Sequence, residues 1–351
     1  MADNERKVTP VSELGEFGLI DRMTANVKLK NASSEKGIGD DAAILNYGEK
    51  RVVVSTDLLT EGVHFNLIYV PLKHLGYKAV VVNLSDLAAM NAIPQQITVS
   101  LAISSKFSVE AIEELYAGIH LACERYGVDL IGGDTTSSLT GLVISITALG
   151  AANEEELVYR NGAKNTDLIC VTGDLGGAYM GLHLLERENQ VFKDNPAIQP
   201  QLDGYNYILG RQLKPEARTD MHKVFADLKI KPSAMMDISD GLSSEIMHLA
   251  KASGTGAKIF EERIPLDAET KRMAEELNMN PLVAALNGGE DYELLFTIPL
   301  SEHDKIRNHP DITVIGHMTP ADEGTRLVTN GGSEIELTAQ GWNPLKGKDE
   351  Q

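Results

Sequence analysis

The chain has 351 residues, a formal net charge of -19 and two cysteines. This length favours two domains, and the negative charge argues against a nucleic-acid-binding protein, whose phosphate contacts need clustered Lys and Arg. Cys123 and Cys170 stand in no C-x-x-C or metal-binding spacing, so neither a disulfide scaffold nor a zinc site is expected. The apolar runs are too short to cross a bilayer and the N-terminus has no apolar leader, which predicts a cytoplasmic protein without a membrane partner.

The first part of the chain alternates short apolar runs with helical patterns. Strands are predicted at 51–57, 97–103, 128–133 and 142–150, and helices at about 72–91 and 109–126. For the second helix, Ser108 is the predicted N-cap, Glu110 lies in the first turn and Gly127 is the expected C-terminal glycine. These elements predict a first domain over residues 1–155.

A second series of elements follows a polar stretch, 151–166, which is the candidate linker. A strand at 167–173, a helix after it, a polar insertion at 187–206, a strand at 233–237, a helix at 241–252 and strands at 292–298 and 312–318 are predicted. The order of elements is typical of an α/β or α+β protein, with a second domain over residues 156–351.

Short acidic segments recur at the ends of predicted strands or on predicted helices. They are GIGDDAA (37–43), STDLLTEGVHF (55–65), VNLSDLAAM (82–90), IGGDTTSS (131–138), MDISDGL (236–242) and NGGEDYELLF (287–296). Each segment alone is compatible with a turn or a helix cap, since Ser239 or Asp240 could cap the helix that begins near residue 241. Their recurrence favours one shared acidic site.

Asp86 is the most informative of these acidic residues. Helical spacing places it on the apolar stripe that contains Ala79 and Val82, where a carboxylate needs either an ion pair or a metal. Both interpretations stay open. Two carboxylates about 4 Å apart repel by about 4 kcal/mol at an effective dielectric of about 20, so a shared acidic site needs cations. Oxygen ligands without a His or Cys cluster favour Mg²⁺ or Mn²⁺ over zinc or copper.

Glycines accompany several of the acidic segments. Gly132 and Gly133 precede Asp134, Gly288 and Gly289 precede Glu290, and the segment 173–177 reads GDLGG. Glycine allows backbone N–H groups to approach phosphate oxygens closely. The common phosphate-binding signatures G-x-x-x-x-G-K-[ST] and G-x-G-x-x-G after a strand do not occur, and neither do the protein-kinase DFG and HRD motifs.

Taken in this order, the acidic segments resemble those of the thiamine-monophosphate kinase family, in the ATP-binding superfamily that includes aminoimidazole-ribonucleotide synthetase and selenophosphate synthetase. The resemblance extends from LGEFGLIDRM (14–23) to GWNPL (341–345). It implies a first domain whose sheet pairs with its twin in a homodimeric β-barrel flanked by helices. It also implies a second, mixed α/β domain that completes the active site.

The resemblance also implies the site residues. Magnesium positions would be Asp41, Ser55, Thr56, Asp57, Asp86, Asp134, Asp237 and Asp240; ATP would contact Tyr116, Gly133, Asp134, Arg160 and Ser239; and thiamine phosphate would contact His64, Glu290 and Trp342. Asp40 is expected to support this set without binding metal. The chain departs from the family pattern at Tyr159, where a small residue is expected, and in the length of 187–206.

The activity that the resemblance implies is ATP-dependent phosphorylation of thiamine monophosphate to thiamine diphosphate, with several Mg²⁺ ions and ATP as co-substrate. The acceptor phosphate is already a nucleophile at neutral pH, so no side-chain acid or base is required and positioning dominates. A synthetase or cyclo-ligase of the same superfamily, which would release free phosphate, remains an alternative. A non-catalytic metal-binding protein is the other alternative, although the chain has no EF-hand spacing.

Overall fold

A computed structural model describes residues 33–36 and 39–338 of the chain, which form two β-sheets with helices packed against them. Both sheets are open: neither closes into a barrel within these residues. The fold is therefore a two-domain, mixed α/β arrangement. None of the helices in the described ranges is long and apolar enough to cross a membrane.

The first sheet contains six strands among the residues that the structure describes. They are β1 (Ser34–Lys36), β2 (Ala43–Asn46), β3 (Arg51–Thr60), β4 (Ile93–Ser104), β5 (Asp129–Ser138) and β6 (Val143–Ala152). Their order across the sheet is β1-β2-β3-β6-β4-β5, in which β4 and β5 run parallel and the other neighbours are antiparallel. Residues along β6 alternate between buried and half-buried, as expected for a sheet with one covered face.

Two helices cover this face, α1 (Leu72–Ala89) and α2 (Val109–Tyr126). The predicted caps of α2 are confirmed: the Ser108 hydroxyl accepts from the N–H of Ala111 at 3.2 Å, and Gly127 ends the helix with φ +65°. The two helices pack very closely, because a Cβ placed on Gly118 would lie 1.9 Å from the carbonyl oxygen of Lys73. Helix α1 is consequently buried along most of its length.

The second sheet contains seven strands in the described part of the chain. They are β7 (Leu168–Thr172), β8 (Ala234–Asp237), β9 (Gly256–Phe260), β10 (Leu294–Ile298), β11 (Ile312–Thr319), β12 (Thr325–Val328) and β13 (Glu334–Glu336). Their order is β13-β12-β9-β11-β7-β10-β8, and the β9–β12 pair is parallel in an otherwise antiparallel sheet.

Within the described ranges, seven helices accompany this sheet. They are α3 (Gly177–Asp194), α4 (Asn206–Leu213), α5 (Met221–Leu228), α6 (Leu242–Ser253), α7 (Ala268–Glu276), α8 (Pro281–Asn287) and α9 (His303–Ile306). Both faces of the sheet are buried: Ile169 of β7 belongs to one core and its neighbour Cys170 to another. The predicted insertion 187–206 begins as the end of α3 and continues as an exposed loop.

A shared core joins the two sheets. Ala88 and Ala89, at the end of α1, pack with Phe225 and Phe296 of the second domain. The predicted linker contributes to this junction, since Leu157 and Val158 are buried and the carbonyl of Tyr159 accepts from the N–H of Met235 at 2.9 Å. The stretch 151–166 is therefore a connection that packs against the core through Leu157 and Val158, although most of its residues are polar.

The predicted strands and helices in these ranges are confirmed, with ends displaced by a few residues. Strand β4 begins at Ile93, four residues before the prediction, and β5 continues to Ser138, five residues beyond it. Strands β1, β2, β9, β12 and β13 were not predicted. All five are only three to five residues long, so they carry too few positions for a period to be recognised.

Candidate active site

Three carboxylates meet at the junction between the two sheets. Asp41 precedes β2, Asp86 lies in the last turn of α1 and Asp237 ends β8. One oxygen from each lies within 4.8 Å of the others. The packing of the α1 end against the second domain explains how a helix of one domain and a strand of the other place acidic groups side by side.

Serine hydroxyls hold two of these carboxylates. The hydroxyl of Ser55 donates to Asp86, and the hydroxyl of Ser85 donates to Asp237 at 2.6 Å. Asp57 lies on the same face of β3 as Ser55, two residues further on, and its backbone N–H donates to the Asn83 side chain at 3.0 Å. Ser85 and Asn83 belong to α1, so this helix fixes the positions of Asp237 and of the Asp57 backbone.

Burial makes the ionised form of each carboxylate unfavourable. It raises the pKa of Asp57 and of Asp237 to about 6, and that of Asp41 to about 7. Burial also raises the pKa of Asp86 well above its ordinary value, and the charges of Asp57, Asp237 and Asp41 raise it further. Desolvation by burial is the main physical cause of these shifts, and repulsion from neighbouring carboxylates adds to it for Asp41, Asp86 and Asp237.

Arg160 is the cation paired with this cluster. Its Nε and Nη2 donate to the two carboxylate oxygens of Asp41, both at 2.9 Å, in a bidentate pair. Asp40 is a further buried carboxylate beside this pair: it pairs with Lys36, its Oδ1 accepts from the N–H of Asp41 at 3.1 Å, and both of its oxygens accept from the backbone N–H of Arg160 at 3.4 Å. The role of Asp40 as a supporting group that does not bind metal stays a prediction.

Glu245 is a buried carboxylate beside the site that the sequence did not single out. It lies in the first turn of α6, is 2% exposed, and accepts from the N–H of Asp240 at 2.8 Å and the hydroxyl of Ser239 at 3.4 Å. Burial and the nearby charge of Asp240 raise its pKa well above the ordinary value. The cap position of α6 is Gly241, so neither Ser239 nor Asp240 caps that helix.

Two of the expected magnesium positions lie away from the three-carboxylate cluster. The register of β3, β6, β4 and β5 places Thr56 and Asp134 on the face opposite α1 and α2. The Thr56 hydroxyl donates to the carbonyl of Ile146 at 3.0 Å, and Asp134 is exposed on the edge strand. Within one chain these two side chains do not join Asp41 and Asp86.

Two of the expected ATP contacts, Tyr116 and Gly133, lie at separate places on the first domain. Tyr116 is part of an apolar groove of about 340 Å³ beside the start of α2, which Phe107, Val109 and Ile112 also line. Gly133 has a structural reason to be glycine, since a Cβ there would lie 1.8 Å from the carbonyl oxygen of Val99.

The expected substrate contacts lie on two loops. The Nδ1 of His64 accepts from the N–H of Thr60 at 3.0 Å in the turn after β3. Glu290 follows α8 and pairs with Lys78 of α1 at 2.8 Å. Trp342 lies outside the described residues.

The GDLGG segment does not offer an open anion site. The N–H of Gly176, at the start of α3, donates to the buried carboxylate of Asp291 at 2.7 Å. Burial raises the pKa of Asp291 to about 7, although Arg211 lowers it. An acidic side chain of the chain itself therefore occupies the place at this helix N-terminus where a phosphate was expected.

The donor set at the carboxylate cluster fits a hard divalent cation. Its ligand atoms are carboxylate oxygens, with the hydroxyl of Ser55 beside them. Four acidic groups at or beside the cluster face one guanidinium, so the metal-free site is strongly negative when ionised. Mg²⁺ prefers such oxygen ligands and relieves their repulsion.

Comparison with known proteins agrees with this architecture. The family model of the AIR synthase related protein N-terminal domain matches residues 39–152, and that of the C-terminal domain matches 167–328. The thiamine-monophosphate kinase of Aquifex aeolicus (strain VF5) is 36% identical over 334 residues, covering 95% of this chain and 98% of that protein. The thiamine-monophosphate kinase of Bacillus subtilis (strain 168) is 33% identical over 340 residues, covering 95% of this chain and all of that protein, 100%.

Solved structures lead to the same family. The structure of AaThiL complexed with AMPPCP and TMP has a TM-score of 0.82 and 34% identity, covering 96% of this chain and 99% of that chain. The thiamine-monophosphate kinase from Stenotrophomonas maltophilia K279a has a TM-score of 0.70 and 31% identity, covering 93% of this chain and 98% of that chain. The chain therefore belongs to the thiamine-monophosphate kinase family of AIR synthase related proteins.

Proposed function

We propose that the protein is a thiamine-phosphate kinase, which transfers the γ-phosphoryl group of ATP to the phosphate of thiamine monophosphate and produces thiamine diphosphate and ADP. The observation that carries the proposal is the buried carboxylate cluster at the domain junction, in a chain that matches this family along nearly its whole length. The complex of AaThiL with AMPPCP and TMP supports the two substrates.

Asp41, Asp57, Asp86 and Asp237 would hold Mg²⁺, with Ser55 and Asp240 beside them. Bound Mg²⁺ supplies the positive charge that lets two phosphate-bearing substrates come together. The domain junction supports this assignment for Asp41, Asp86 and Asp237, because it places one oxygen of each within 4.8 Å of the others. Asp134 and Thr56, on the other face of the sheet, complete the proposed metal set only if a second subunit or bound nucleotide closes that face.

The chain's own residues would position the substrates. Arg160 lies at the edge of the acidic cluster, held by Asp41, where its remaining guanidinium donors can contact phosphate oxygens. Ser239 stands between this cluster and the start of α6, where the helix N-terminus favours an anion. The acceptor phosphate needs no general base, so alignment of the two phosphates is the main task.

ATP would place its adenine near Tyr116. The groove beside this residue is almost entirely apolar, and Phe107 and Ile112 line it together with the tyrosine ring. A flat aromatic base suits such a surface, since stacking on an aromatic side chain does not require specific hydrogen bonds. Gly133 would then approach the phosphates, and His64, Glu290 and Trp342 would contact thiamine phosphate.

A homodimer through the open face of the first sheet would complete the enzyme. Leu58 and Ile93 lie on this face and are 54% and 50% exposed, which is typical of a surface that a partner covers. Pairing of this sheet with its twin would form the β-barrel that the family resemblance implies. Residues 1–155 would then be the ATP-binding and dimerisation domain and residues 156–351 the domain that completes the site, in the cytoplasm.

Product analysis tests the proposal. Purified protein is incubated with ATP, Mg²⁺ and either thiamine monophosphate or unphosphorylated thiamine, and the thiamine products and nucleotides are separated by chromatography. The proposal predicts equal amounts of thiamine diphosphate and ADP with the monophosphate, and no product with thiamine. Phosphorylation of thiamine itself, or ADP without thiamine diphosphate, would reject the proposed acceptor.

A further inference from the structure

Glu290 stands in a strained turn. Its φ is +58° and that of Tyr292 is +52°, a region that residues with a side chain rarely adopt. Two backbone hydrogen bonds hold the turn against the strand end that carries Asp237: the N–H of Glu290 donates to Ser239 at 2.7 Å, and that of Tyr292 donates to Ile238 at 2.9 Å. Such strain persists where surrounding contacts fix a functional side chain.

Two buried donors fix the carboxylate of Glu290. Lys78 Nζ lies 2.8 Å from its Oε1, and Gln212 Nε2 donates to its Oε2 at 3.0 Å. The same Lys78 Nζ donates to the backbone carbonyl of Gln212 at 3.1 Å. The three residues therefore form a closed triangle, and neither oxygen of the carboxylate can turn without losing a partner.

The three residues differ in exposure. Lys78 is 6% exposed and Gln212 is 5% exposed, whereas the Glu290 side chain is 30% exposed. A carboxylate has about four acceptor positions, and Lys78 and Gln212 occupy two. The remaining acceptor positions of Glu290 are available on its exposed side.

Folding stability alone does not account for this arrangement. An ion pair with a buried lysine stabilises a fold little compared with an apolar side chain of the same volume, because the lysine loses its hydration. Lys78 comes from α1 in the first domain, Gln212 from α4 and Glu290 from the turn after α8. The triangle thus connects the two domains at the residue that is expected to contact the substrate.

We infer that Lys78 and Gln212 are positioning residues that hold Glu290 as a fixed hydrogen-bond acceptor for the exocyclic amine of the substrate's aminopyrimidine ring. This inference rests on the proposed function, which supplies the thiamine substrate. An acceptor fixed in this way distinguishes an amine from a carbonyl at the same ring position. A carbonyl oxygen that faced the Glu290 carboxylate would meet a second acceptor, and no hydrogen would lie between the two groups.

Steady-state kinetics with two acceptors tests the inference. The acceptors are thiamine monophosphate and its 4-oxo analogue, in which a carbonyl replaces the exocyclic amine. The variants are Lys78→Met and Gln212→Met, which keep the side-chain length and remove the donor. Lys223→Met, an exposed lysine on α5, is the matched control. Melting temperatures establish that each variant is folded, and Gln212→Met carries the test alone if Lys78→Met does not fold.

We expect the wild-type protein to prefer thiamine monophosphate over the oxo analogue by about 10-fold or more in kcat/KM. Lys78→Met and Gln212→Met should each raise the KM for thiamine monophosphate by about 10-fold, reduce the preference towards 1 and leave the KM for ATP within about twofold. Lys223→Met should behave as wild type. A general structural defect would instead alter the kinetics of both substrates.

A double-mutant cycle with Glu290→Ala tests whether Lys78 acts through Glu290. Once Glu290 is absent, adding Lys78→Met should change kcat/KM by no more than about threefold, so the two effects should not add. Additive effects would overturn the inference, and so would an undiminished preference for the amine in both positioning variants. Wild-type turnover of thiamine monophosphate without any preference would also overturn it while leaving the proposed function intact, whereas no turnover of either acceptor would overturn both.

Discussion

Asp86→Asn should have opposite effects on the stability of the metal-free fold and on kinase activity. Charges 4.8 Å apart, the largest separation among the three clustered oxygens, repel by about 3 kcal/mol at an effective dielectric of about 20. Burial is the main cause of the raised pKa of Asp237, from 3.8 to about 6, which corresponds to a separate penalty of roughly 3 kcal/mol above pH 6. Asparagine keeps the acceptor for the Ser55 hydroxyl and removes the charge.

The metal-free Asp86→Asn protein should therefore be more stable than wild type at pH 8, by about 3 kcal/mol, and should melt several degrees higher. With Mg²⁺ and ATP its kcat should fall by at least about 100-fold, and Mg²⁺ should no longer raise its melting temperature as it does for wild type.

Differential scanning calorimetry without and with Mg²⁺, together with kinase assays, measures both effects. Asp203→Asn, an exposed aspartate in the loop before α4, is the control and should change neither quantity. Near-normal turnover, or a lower melting temperature for metal-free Asp86→Asn at pH 8, would refute the reasoning.

Three further predictions concern pH, Arg160 and the open sheet face. The buried carboxylates have raised pKa values in the folded state, so they bind protons more tightly than the unfolded chain. The metal-free melting temperature should therefore fall as pH rises from about 4 to about 7. Mg²⁺ should stabilise the protein more at pH 8 than at pH 5, and a metal-free melting temperature that rises with pH over this range would contradict the prediction. Arg160→Met should remove the bidentate partner of Asp41 and lower kcat/KM for ATP by about 10-fold or more, whereas an unchanged value would show that Arg160 serves the fold alone. Leu58→Arg should convert a dimer to a monomer in sedimentation velocity, and an unchanged mass would exclude the open sheet face as the interface.

The acidic positions that the structure brings together were those whose local pattern was unusual. Asp86 on an apolar helical stripe and Asp237 at the end of an apolar strand both contradict their surroundings, and such contradictions are common at functional sites. Asp41 joins them in the structure. Their assignment as magnesium ligands remains a prediction.

The supporting residues could not be predicted because their partners are distant in sequence. Ser85 contacts Asp237 across 152 positions, and Lys78 and Gln212 interact across 134. In the sequence pattern, a buried lysine or glutamine within a helix looks the same as an exposed one. Glu245 offered one weak signal, a glutamate in the first turn of a helix, and that signal fits ordinary helix dipole stabilisation equally well.

The face of the sheet on which a residue lies could also not be predicted from the sequence. Strand alternation does predict that Thr56 and Asp57 point to opposite faces, but which face the helices cover depends on how the chain packs. The same is true of Asp134, whose parallel partner strand sets its orientation. The sequence therefore did not predict which of Thr56 and Asp57, which are neighbours in one segment, lies on the same face as the carboxylate cluster.

Phosphorus NMR of the protein with ATP, Mg²⁺ and thiamine monophosphate tests the central claim most directly, because one spectrum reports every phosphate in the mixture. Direct transfer predicts that the γ-phosphate signal of ATP declines while the signals of ADP and thiamine diphosphate grow in step, with no free phosphate. Accumulation of free phosphate without thiamine diphosphate, or ATP that stays unchanged, would contradict the assignment.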